Sequence, residues 1–483
     1  MASVLATYKG LYIVTGATGD GGLALTSNFQ TIADKLYNTT SYNNSIGTDT
    51  SNSILSGFNN SISAGSLGGP QYSVIVGGQN NYIYGLASWT CIGSGYGNRI
   101  RCGVGSGTET VTSHHSLIDG GFFNTIGSYF GSDSSRGDVN SCVIGGGQSN
   151  YITLVGTTNN QARHSTISGG YWNNIIARGS IGHANAASAT IGGGEYNAID
   201  GFSVALSIIC GGKSNSIRDI GGGSSIIGGS LNAVSNGSVY EAYWSVIGGG
   251  YSNRIGDATI SQGDVKFSSI LGGEANWIKN TLFSGNISWS AICGGAGNLI
   301  NSANSGFIGG GESNAVQPND YVFSADYAFI AGGYYGLADH YGQFAQASGR
   351  FASIGDAQTT VSVARITTTN TASVTEMFLD GASVRLTLLD ADAWFFNIMV
   401  VARGTAGTND NSAGGWELKG VIKRIDTTTS LVGTVIKTII GEDIGAWDVN
   451  VDAQDHYLRI QVTGDATSTI NWVARIQMVE VNG

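Results

Sequence analysis

Charge is scarce in this sequence of 483 residues, of which only 11% are Asp, Glu, Lys or Arg, against about 25% in an average globular protein. The formal net charge is −11 and the few basic residues are scattered, which argues against a nucleic-acid-binding protein and against an anionic membrane surface as a partner. The chain nevertheless folds, because 41% of its residues are hydrophobic and 10% are aromatic, too many for a disordered protein.

Proline, cysteine and long apolar runs are scarce as well. Two prolines and the absence of a Gly-X-Y period exclude collagen. The five cysteines are odd in number and show no CxxC spacing, so we expect no disulfide framework, no metal site and no cofactor, in a chain made in a reducing cytoplasm. The sequence contains no run of about 18 apolar residues and no recognisable signal peptide, which predicts neither a membrane span nor ordinary secretion.

Glycine, in contrast, is abundant, with 76 residues. This number argues against a mainly helical protein, because each interior glycine costs a helix about 1 kcal/mol. Many glycines belong to a nine-residue block, Ile-x-Gly-Gly-x-x-Asn-x-Ile, which contains no insertions and begins at Ile54, Ile75, Ile92, Ile118, Ile144, Ile167, Ile191, Ile209, Ile226, Ile247, Ile270, Ile292, Ile308 and, in degenerate form, Ile330. All length variation falls between the blocks, which indicates a core locked in register and connectors at the surface.

The block predicts two short strands joined by a turn. With a strand period of two, the first isoleucine and the first glycine share the inward face, and the asparagine and the closing isoleucine share the inward face of the next strand. Stacking one block per coil gives a β-solenoid of about fourteen coils, roughly 65 Å long at one strand spacing per coil. We expect the seventh-position asparagines to form a structural ladder of amides: Asn60, Asn81, Asn98, Asn124, Asn150, Asn173, Asn197, Asn215, Asn232, Asn253, Asn276, Asn298 and Asn314.

The two ends of the chain differ from the repeats. Residues 1–45 contain a short strand near residues 11–14, a glycine-rich loop, and an apolar stripe of Leu25, Phe29, Ile32 and Leu36 that predicts one helix. Residues 46–348 form the predicted solenoid shaft. Residues 349–483 show alternating strand patterns separated by turn residues, which predict a C-terminal β-sandwich. The predicted fold class is therefore all-β.

Both ends also resemble proteins of bacteriophages. Residues 8–36, YKGLYIVTGATGDGGLALTSNFQTIADKL, resemble the N-terminal attachment segment of phage tail fibres. The C-terminal stretches SGRFASIGDAQTT, AWFFNIMVVARGT and TINWVARIQMVEVNG resemble a terminal domain of phage fibre and surface proteins. The blocks are more weakly similar to the heads of trimeric autotransporter adhesins, from which they differ in their asparagine and in their variable spacing.

The resemblance implies a non-enzymatic phage tail fibre that is structural and binds a receptor. Its implied partners are a phage tail or baseplate protein, held through residues 1–45, and a host cell-surface glycan or protein. By analogy with other fibres of short-coil solenoids, we expect a homotrimer whose copies grip the host surface together. Such a protein is located in the virion tail and is assembled in the host cytoplasm.

Aromatic residues are the candidate receptor contacts, because amphipathic rings flanked by small polar residues stack on pyranose faces while their neighbours bond to hydroxyl groups. The alternative for each ring is burial between subunits. The rings selected from the blocks and the connectors are Tyr171, Trp172, Tyr243, Trp244, Trp277 and Trp289.

Other functions remain open. In a tailspike-type polysaccharide depolymerase, Glu274 and Glu312 would act as a pair, since both occupy the fifth block position two coils apart, at about 10 Å. The alternative for these glutamates, and for Glu195 at the same position, is a solubilising surface role. A phage head fibre or decoration protein and a cellular trimeric adhesin are further alternatives. The irregular connectors argue against an ice-binding solenoid.

Overall fold

The structure is a computed structural model, and it shows an all-β chain. It describes residues 3–8, 11–15, 43–47, 51–65, 68–101, 111–128, 137–156, 160–179, 186–219, 221–235, 237, 241–257, 263–281, 286–319 and 325–483. No helix occurs among these residues. Near the N-terminus, Ser3–Tyr8 and Leu11–Thr15 pair as an antiparallel hairpin. The helix predicted around Leu25 and Leu36 lies outside the described residues.

Two parallel sheets run along the repeats, with one strand of each sheet per block. We call the sheet that carries the first block isoleucine the first wall. Its strands are Ser53–Ile54, Val74–Ile75, Cys91–Ile92, Leu117–Ile118, Val143–Ile144, Thr166–Ile167, Thr190–Ile191, Ile208–Ile209, Ser225–Ile226, Val246–Ile247, Ser269–Ile270, Ala291–Ile292, Phe307–Ile308, Phe329–Ile330 and Phe344–Ala347. Equivalent residues of successive blocks are paired in the sheet. For example, Ile75 pairs with Ile92.

The sheet that follows the block asparagine is the second wall. Its strands are Ser45–Ile46, Ser61–Ser63, Tyr82–Tyr84, Arg99–Arg101, Thr125–Ser128, Tyr151–Gly156, Asn174–Gly179, Ala198–Gly201, Ser216–Asp219, Ala233–Val234, Arg254–Ile255, Trp277–Lys279, Leu299–Asn301, Ala315–Val316 and Leu337–Ala338. Short ladders also form between some connectors, in the strands Val111–Thr112, Gly137–Asp138, Asn160–Gln161, Val265–Lys266 and Ile287–Ser288. The β-solenoid predicted from the repeat is therefore confirmed.

The core between the walls is a column of isoleucines. Ile75 and Ile83, at the first and ninth positions of one block, have no exposed surface, and the equivalent residues of the other blocks are buried as well. Burial stabilises each such side chain by about 1.5–3 kcal/mol. Small polar residues two positions before the first isoleucine complete the inward face. Ser165 is one of them, and its hydroxyl donates a hydrogen bond to the carbonyl of Ala186 in the next coil at 2.7 Å.

The fourth-position glycine is required by both its conformation and its surroundings. Gly78 has a φ of 86°, which side-chain-bearing residues seldom adopt. A Cβ built on it would lie 2.1 Å from the carbonyl oxygen of Gly95, the equivalent glycine of the next coil. Adjacent coils therefore approach so closely at this turn that no larger residue fits.

The first wall continues into the C-terminal region. Its last strand, Phe344–Ala347, pairs antiparallel with Ala357–Thr369. The sheet then extends through Ser468–Asn482, Asp392–Gly407, Ala413–Ile425 and Thr428–Glu442. In a second sheet, Tyr457–Thr463 pairs with Val374–Met377, Leu386–Thr387 and Asp448–Gln454. A hydrophobic core that includes Trp416, Trp447 and Trp472 holds residues of both sheets together.

Candidate functional site

The side chains of the block asparagines form hydrogen bonds within the solenoid itself. The amide nitrogen of Asn81 donates to the carbonyl of Gly77 at 2.9 Å and to the carbonyl of Gly95 in the next coil at 3.0 Å. Its side-chain oxygen accepts the backbone N–H of Asn98 at 3.0 Å. All thirteen side chains of the predicted ladder are buried. Because their donors and acceptors are used within the chain, these asparagines offer nothing to a ligand.

The six aromatic candidates do not form one site. Tyr171 and Trp172 lie at the turn between the walls, whereas Trp277 lies on the outward face of the second wall. Trp244 and Trp289 both lie three residues before a block isoleucine, and Tyr243 precedes Trp244; these three are in the connectors. The structure therefore distributes the candidates over three positions around the coil.

Trp289 and Trp244 are exposed, and each has a ring face covered by the chain. The Trp289 ring stacks on Phe267 of the preceding coil with 6.0 Å between centroids, and 68% of the residue is exposed. The Trp244 ring lies over Gly223, where a Cβ would come within 2.7 Å of it. The neighbouring Tyr243 uses its hydroxyl to donate to the Ser203 hydroxyl at 2.9 Å. Contacts within the chain therefore use one ring face of each tryptophan and the hydroxyl group of Tyr243, which are then not available to a pyranose.

Trp277 is held from several sides. Its indole N–H donates to the carbonyl of Gly256 at 2.8 Å. The Lys279 ammonium lies 4.1 Å from the centre of its ring, and the Arg254 guanidinium lies 5.7 Å from it. A cation over an aromatic ring face is attracted by the ring quadrupole. Trp277 is thus half-buried in a cationic part of the second wall.

Tyr171 and Trp172 belong to a group of four rings at the turn and the adjoining second wall. The ring of Trp172 lies 5.9 Å from that of Tyr151 and 6.4 Å from that of Tyr196, while Tyr171 packs edge-on against Tyr196 at 5.3 Å. We call these four residues, Tyr151, Tyr171, Trp172 and Tyr196, the ring cluster. Trp172 and Tyr196 are exposed, so the cluster presents an aromatic surface spanning three coils.

Polar groups surround the ring cluster. Glu195 follows Tyr171 on the ladder of the fifth block position, and its carboxylate lies 3.2 Å from the ammonium of Lys213 in the next coil. A hydrogen bond with the Tyr171 side chain raises the pKa of Tyr196. The cluster therefore combines apolar faces with donors and acceptors, as a saccharide site requires.

The sequence reasoning selected Tyr171 and Trp172 but missed Tyr151 and Tyr196 as their partners. The available signal was the repeat itself, because aligning the blocks places the sixth-position Tyr196 one coil from Trp172. A second group of rings lies further along the same turn, where Tyr96 stacks on Phe122 at 5.1 Å and packs edge-on against Phe123 at 5.3 Å.

The two glutamates considered for catalysis share one exposed ladder. Glu274 pairs with Ala296, which pairs with Glu312, so two strand spacings, about 10 Å, separate their backbones. Both residues are exposed. Their separation is near the upper limit for the carboxyl groups of an inverting glycosidase, about 9.5 Å.

A further set of titratable groups is buried where the shaft meets the C-terminal sheets. His340 Nδ1 lies 2.6 Å from the carboxylate of Asp339. Burial alone lowers the pKa of His340, but the attraction of Asp339 outweighs it and raises that pKa to about 9. Burial raises the pKa of Glu480 to about 7, although the hydrogen bonds from Gln358 and Thr360 act in the opposite direction and lower it. Asp339, His340 and Glu480 are all buried, so their protonation affects the stability of the fold.

The described part of the chain offers neither a metal site nor a helical membrane span. Within it, no group of three or more His, Cys, Asp or Glu residues is arranged to hold a metal ion. Over the same residues, no helix is long and apolar enough to cross a membrane.

No protein-family model and no curated protein matches the sequence. Similar solved structures include the tailspike protein gp49 of Acinetobacter baumannii bacteriophage Fri1, a capsular polysaccharide depolymerase, at 9% identity and a TM-score of 0.16, covering 85% of this chain and 79% of that one. The tailspike of A. baumannii phage AM24 matches at 9% identity and a TM-score of 0.22, covering 95% and 80%. The tailspike of Acinetobacter phage vB_ApiP_P1 matches at 10% identity and a TM-score of 0.20, covering 96% and 85%.

These comparisons correct one prediction and fit another. The prediction that the chain is not an enzyme is contradicted, because the gp49 tailspike is a capsular polysaccharide depolymerase, and we withdraw it. The three structures named above are all phage tailspikes, which fits the predicted receptor-binding phage tail protein. At this identity and TM-score, the likeness assigns no residue of this chain to a role.

Proposed function

We propose that this chain is a receptor-binding tail protein of a phage that adheres to a host cell-surface glycan through the ring cluster. The observation that carries the proposal is the exposed aromatic surface of Trp172 and Tyr196 beside the charged pair Glu195 and Lys213. Residues 1–45 dock on the phage tail or baseplate. Residues 46–348 form a shaft of about fourteen coils, and residues 349–483 form a terminal β-sandwich. The functional unit is a homotrimer in the virion tail.

The ring cluster suits weak binding of an extended saccharide. The rings of Trp172 and Tyr196 supply apolar faces for the C–H side of a pyranose, while Glu195 and Lys213 exchange hydrogen bonds with its hydroxyl groups. Several such contacts per trimer, multiplied over the fibres of one virion, raise the overall avidity without any tight single site.

The test is binding of the purified protein to capsular and lipopolysaccharide preparations from the host, measured by biolayer interferometry. Removing both exposed rings, Trp172→Ala with Tyr196→Ala, is expected to weaken binding at least 10-fold, if each ring contact contributes about 1 kcal/mol. Trp89→Ala is the matched control, because it removes an exposed tryptophan that lies outside the cluster and outside the other candidate contacts. Equal binding by the double variant and the control would falsify this assignment.

A second function, cleavage of the bound polysaccharide, is favoured by the placement of Glu274 and Glu312 on one exposed ladder. In this function one carboxyl group protonates the glycosidic oxygen while the other activates water. Incubation with host polysaccharide should then release reducing ends, and Glu274→Gln or Glu312→Gln should lower the rate at least 100-fold. Glu442→Gln, which alters an exposed glutamate of the C-terminal sheet, is the control. Full activity in both single variants would exclude this pair.

A further inference from the structure

The first wall carries almost no charge on its outward face. Its outward side chains are the residues immediately before and immediately after the first block isoleucine, as the burial pattern along these strands shows. Over all fourteen blocks, whose residues at these two positions are all described, Asp119 is the only charged residue there. The outward face of the second wall differs, since it carries Arg99, Arg101, Asp200, Arg218, Arg254 and Lys279.

Apolar side chains take the place of charges on the first wall. Leu271, which is 60% exposed, and Ile227 follow block isoleucines. Towards the end of the shaft, three phenylalanines stack along the wall, with Phe307 to Phe329 at 5.1 Å and Phe329 to Phe344 at 5.4 Å. Seven large apolar residues of this wall are exposed: Leu55, Val76, Ile208, Ile227, Val246, Leu271 and Phe329.

An apolar row continues from this wall onto the C-terminal sheet, whose outward face also carries the exposed charges of Lys423 and Arg475. Phe344 pairs with Val361, which places the outward side chains of both sheets on one side. One outward row then crosses five strands: Thr359, Val479, Phe395, Val421 and Val432. Val479, Phe395 and Val432 are exposed, and an open cavity of about 600 Å³ beside them is lined by Phe351 and Val481 among others.

We infer that other copies of this chain pack against the first wall and the outward face of the C-terminal sheet, so that the second wall and the ring cluster stay open to ligands. The inference deepens the proposed function, since it rests on the self-association proposed there and assigns the surface that performs it.

Symmetry explains the lack of charge. In a cyclic assembly, a residue near the rotation axis lies close to its own copies, so any charge there faces the same charge. Such juxtaposition of like charges costs several kcal/mol. A different protein or an acidic glycan would instead be matched by charges of opposite sign. The near absence of both positive and negative residues along the first wall therefore indicates that its partners are further copies of the chain.

The area of the first wall also agrees with an interface between copies of the chain. The sheet has fifteen strands in the shaft, which at a spacing of about 4.8 Å gives a length of about 70 Å, and its outward strip is about 10 Å wide. The resulting area, about 700 Å² per copy, is close to the roughly 800 Å² that each partner contributes to a stable interface. The C-terminal sheet adds to it.

The test compares two exposed leucines of the same shaft in the full-length chain. Leu271→Glu puts a charge on the first wall, whereas Leu231→Glu puts the same charge at the turn, where the leucine is 45% exposed. Native mass spectrometry is expected to show the trimer for the unaltered chain and for Leu231→Glu, and at least a 10-fold loss of trimer for Leu271→Glu. Circular dichroism checks that both variants keep their β-sheet content.

A native cysteine provides a measurement that needs no variant. Cys210 follows the isoleucine of its block on the first wall and is exposed in the single chain, so assembly should slow its labelling by a maleimide at least 10-fold relative to unfolded protein. Fast labelling of Cys210 in an intact trimer would overturn the assignment of the wall but leave the trimer standing. A native monomer would overturn the proposed trimer itself.

Discussion

The side-chain oxygen of Asn150 accepts the backbone N–H of Asn173 at 3.0 Å, although 23 residues separate the two in sequence. The amide nitrogen of Asn173 in turn donates to the carbonyls of Gly169 and Gly194, each at 2.9 Å. Each amide thus satisfies backbone groups of two coils in a buried position. Since a buried polar group without a partner costs about 1–3 kcal/mol, the ladder holds the turns of adjacent coils together.

Asn173→Ala should therefore destabilise the shaft strongly. It leaves the Gly169 carbonyl and the backbone N–H of Asn197 without their partners, so we expect a loss of about 3 kcal/mol. Asn174→Ala, at the neighbouring residue, is the matched control. Its side-chain oxygen has no hydrogen-bond partner in the described part of the chain, and we expect a loss below about 1 kcal/mol. Guanidinium unfolding followed by tyrosine and tryptophan fluorescence measures both, and equal midpoints would refute a structural role for the ladder.

Two adjacent glycines should respond very differently to alanine. Gly212 has a φ of 91°, and a Cβ on it would lie 2.2 Å from the carbonyl oxygen of Gly229, whereas a Cβ on Gly211 meets nothing within 4 Å. Gly212→Ala should therefore prevent formation of a soluble shaft, while Gly211→Ala should change the free energy of unfolding by less than about 1 kcal/mol. The measurement is soluble yield followed by guanidinium unfolding. Similar yields of the two variants would contradict the close coil approach.

The shaft was predictable because its sequence period equals its structural period. Ile75 and Ile92 share a register that alignment of the blocks already indicates. The connectors were not predictable, because their lengths vary. Thr112 and Asp138, for instance, meet in a ladder only where neighbouring connectors are long enough.

The candidate site was predictable only in part. Tyr171 and Trp172 are adjacent in sequence, but their contacts with Tyr151 and Tyr196 depend on packing between coils. The buried contact between Gln358 and Glu480 joins residues 122 positions apart. No local pattern marks it, since Glu480 reads as an ordinary polar residue of an alternating strand.

Glu480 makes the junction between the shaft and the C-terminal sheets sensitive to pH. Its pKa is raised from 4.5 to about 7 by burial, so the folded chain retains a proton that the unfolded chain has lost. This contribution to stability is complete below about pH 4.5 and is lost as the pH rises through about 7.

Glu480→Gln should remove this dependence. The variant carries no charge to bury, so its thermal midpoint should exceed that of the unaltered chain at pH 8 by an amount corresponding to about 3 kcal/mol, and the difference should vanish near pH 4.5. Differential scanning calorimetry between pH 4 and 9 measures both curves. Glu376→Gln serves as control, because that carboxylate is paired with Arg385 in the second sheet. Parallel curves for Glu480→Gln and the unaltered chain would contradict the burial of an ionisable group.

Asp339→Asn should have the opposite pH profile. Without the carboxylate at 2.6 Å, burial dominates and the pKa of His340 falls, so the histidine must lose its proton for the chain to fold. In the unaltered chain, the raised pKa of His340 contributes stability that is complete below about pH 6.5 and is lost as the pH rises through about 9. The cost of Asp339→Asn is therefore greatest between about pH 4 and 6.5 and shrinks towards pH 9, as calorimetry can follow. His340 titration, observed by NMR of the labelled imidazole, gives an independent readout, and an unchanged His340 pKa in the variant would show that Asp339 is not its counter-charge.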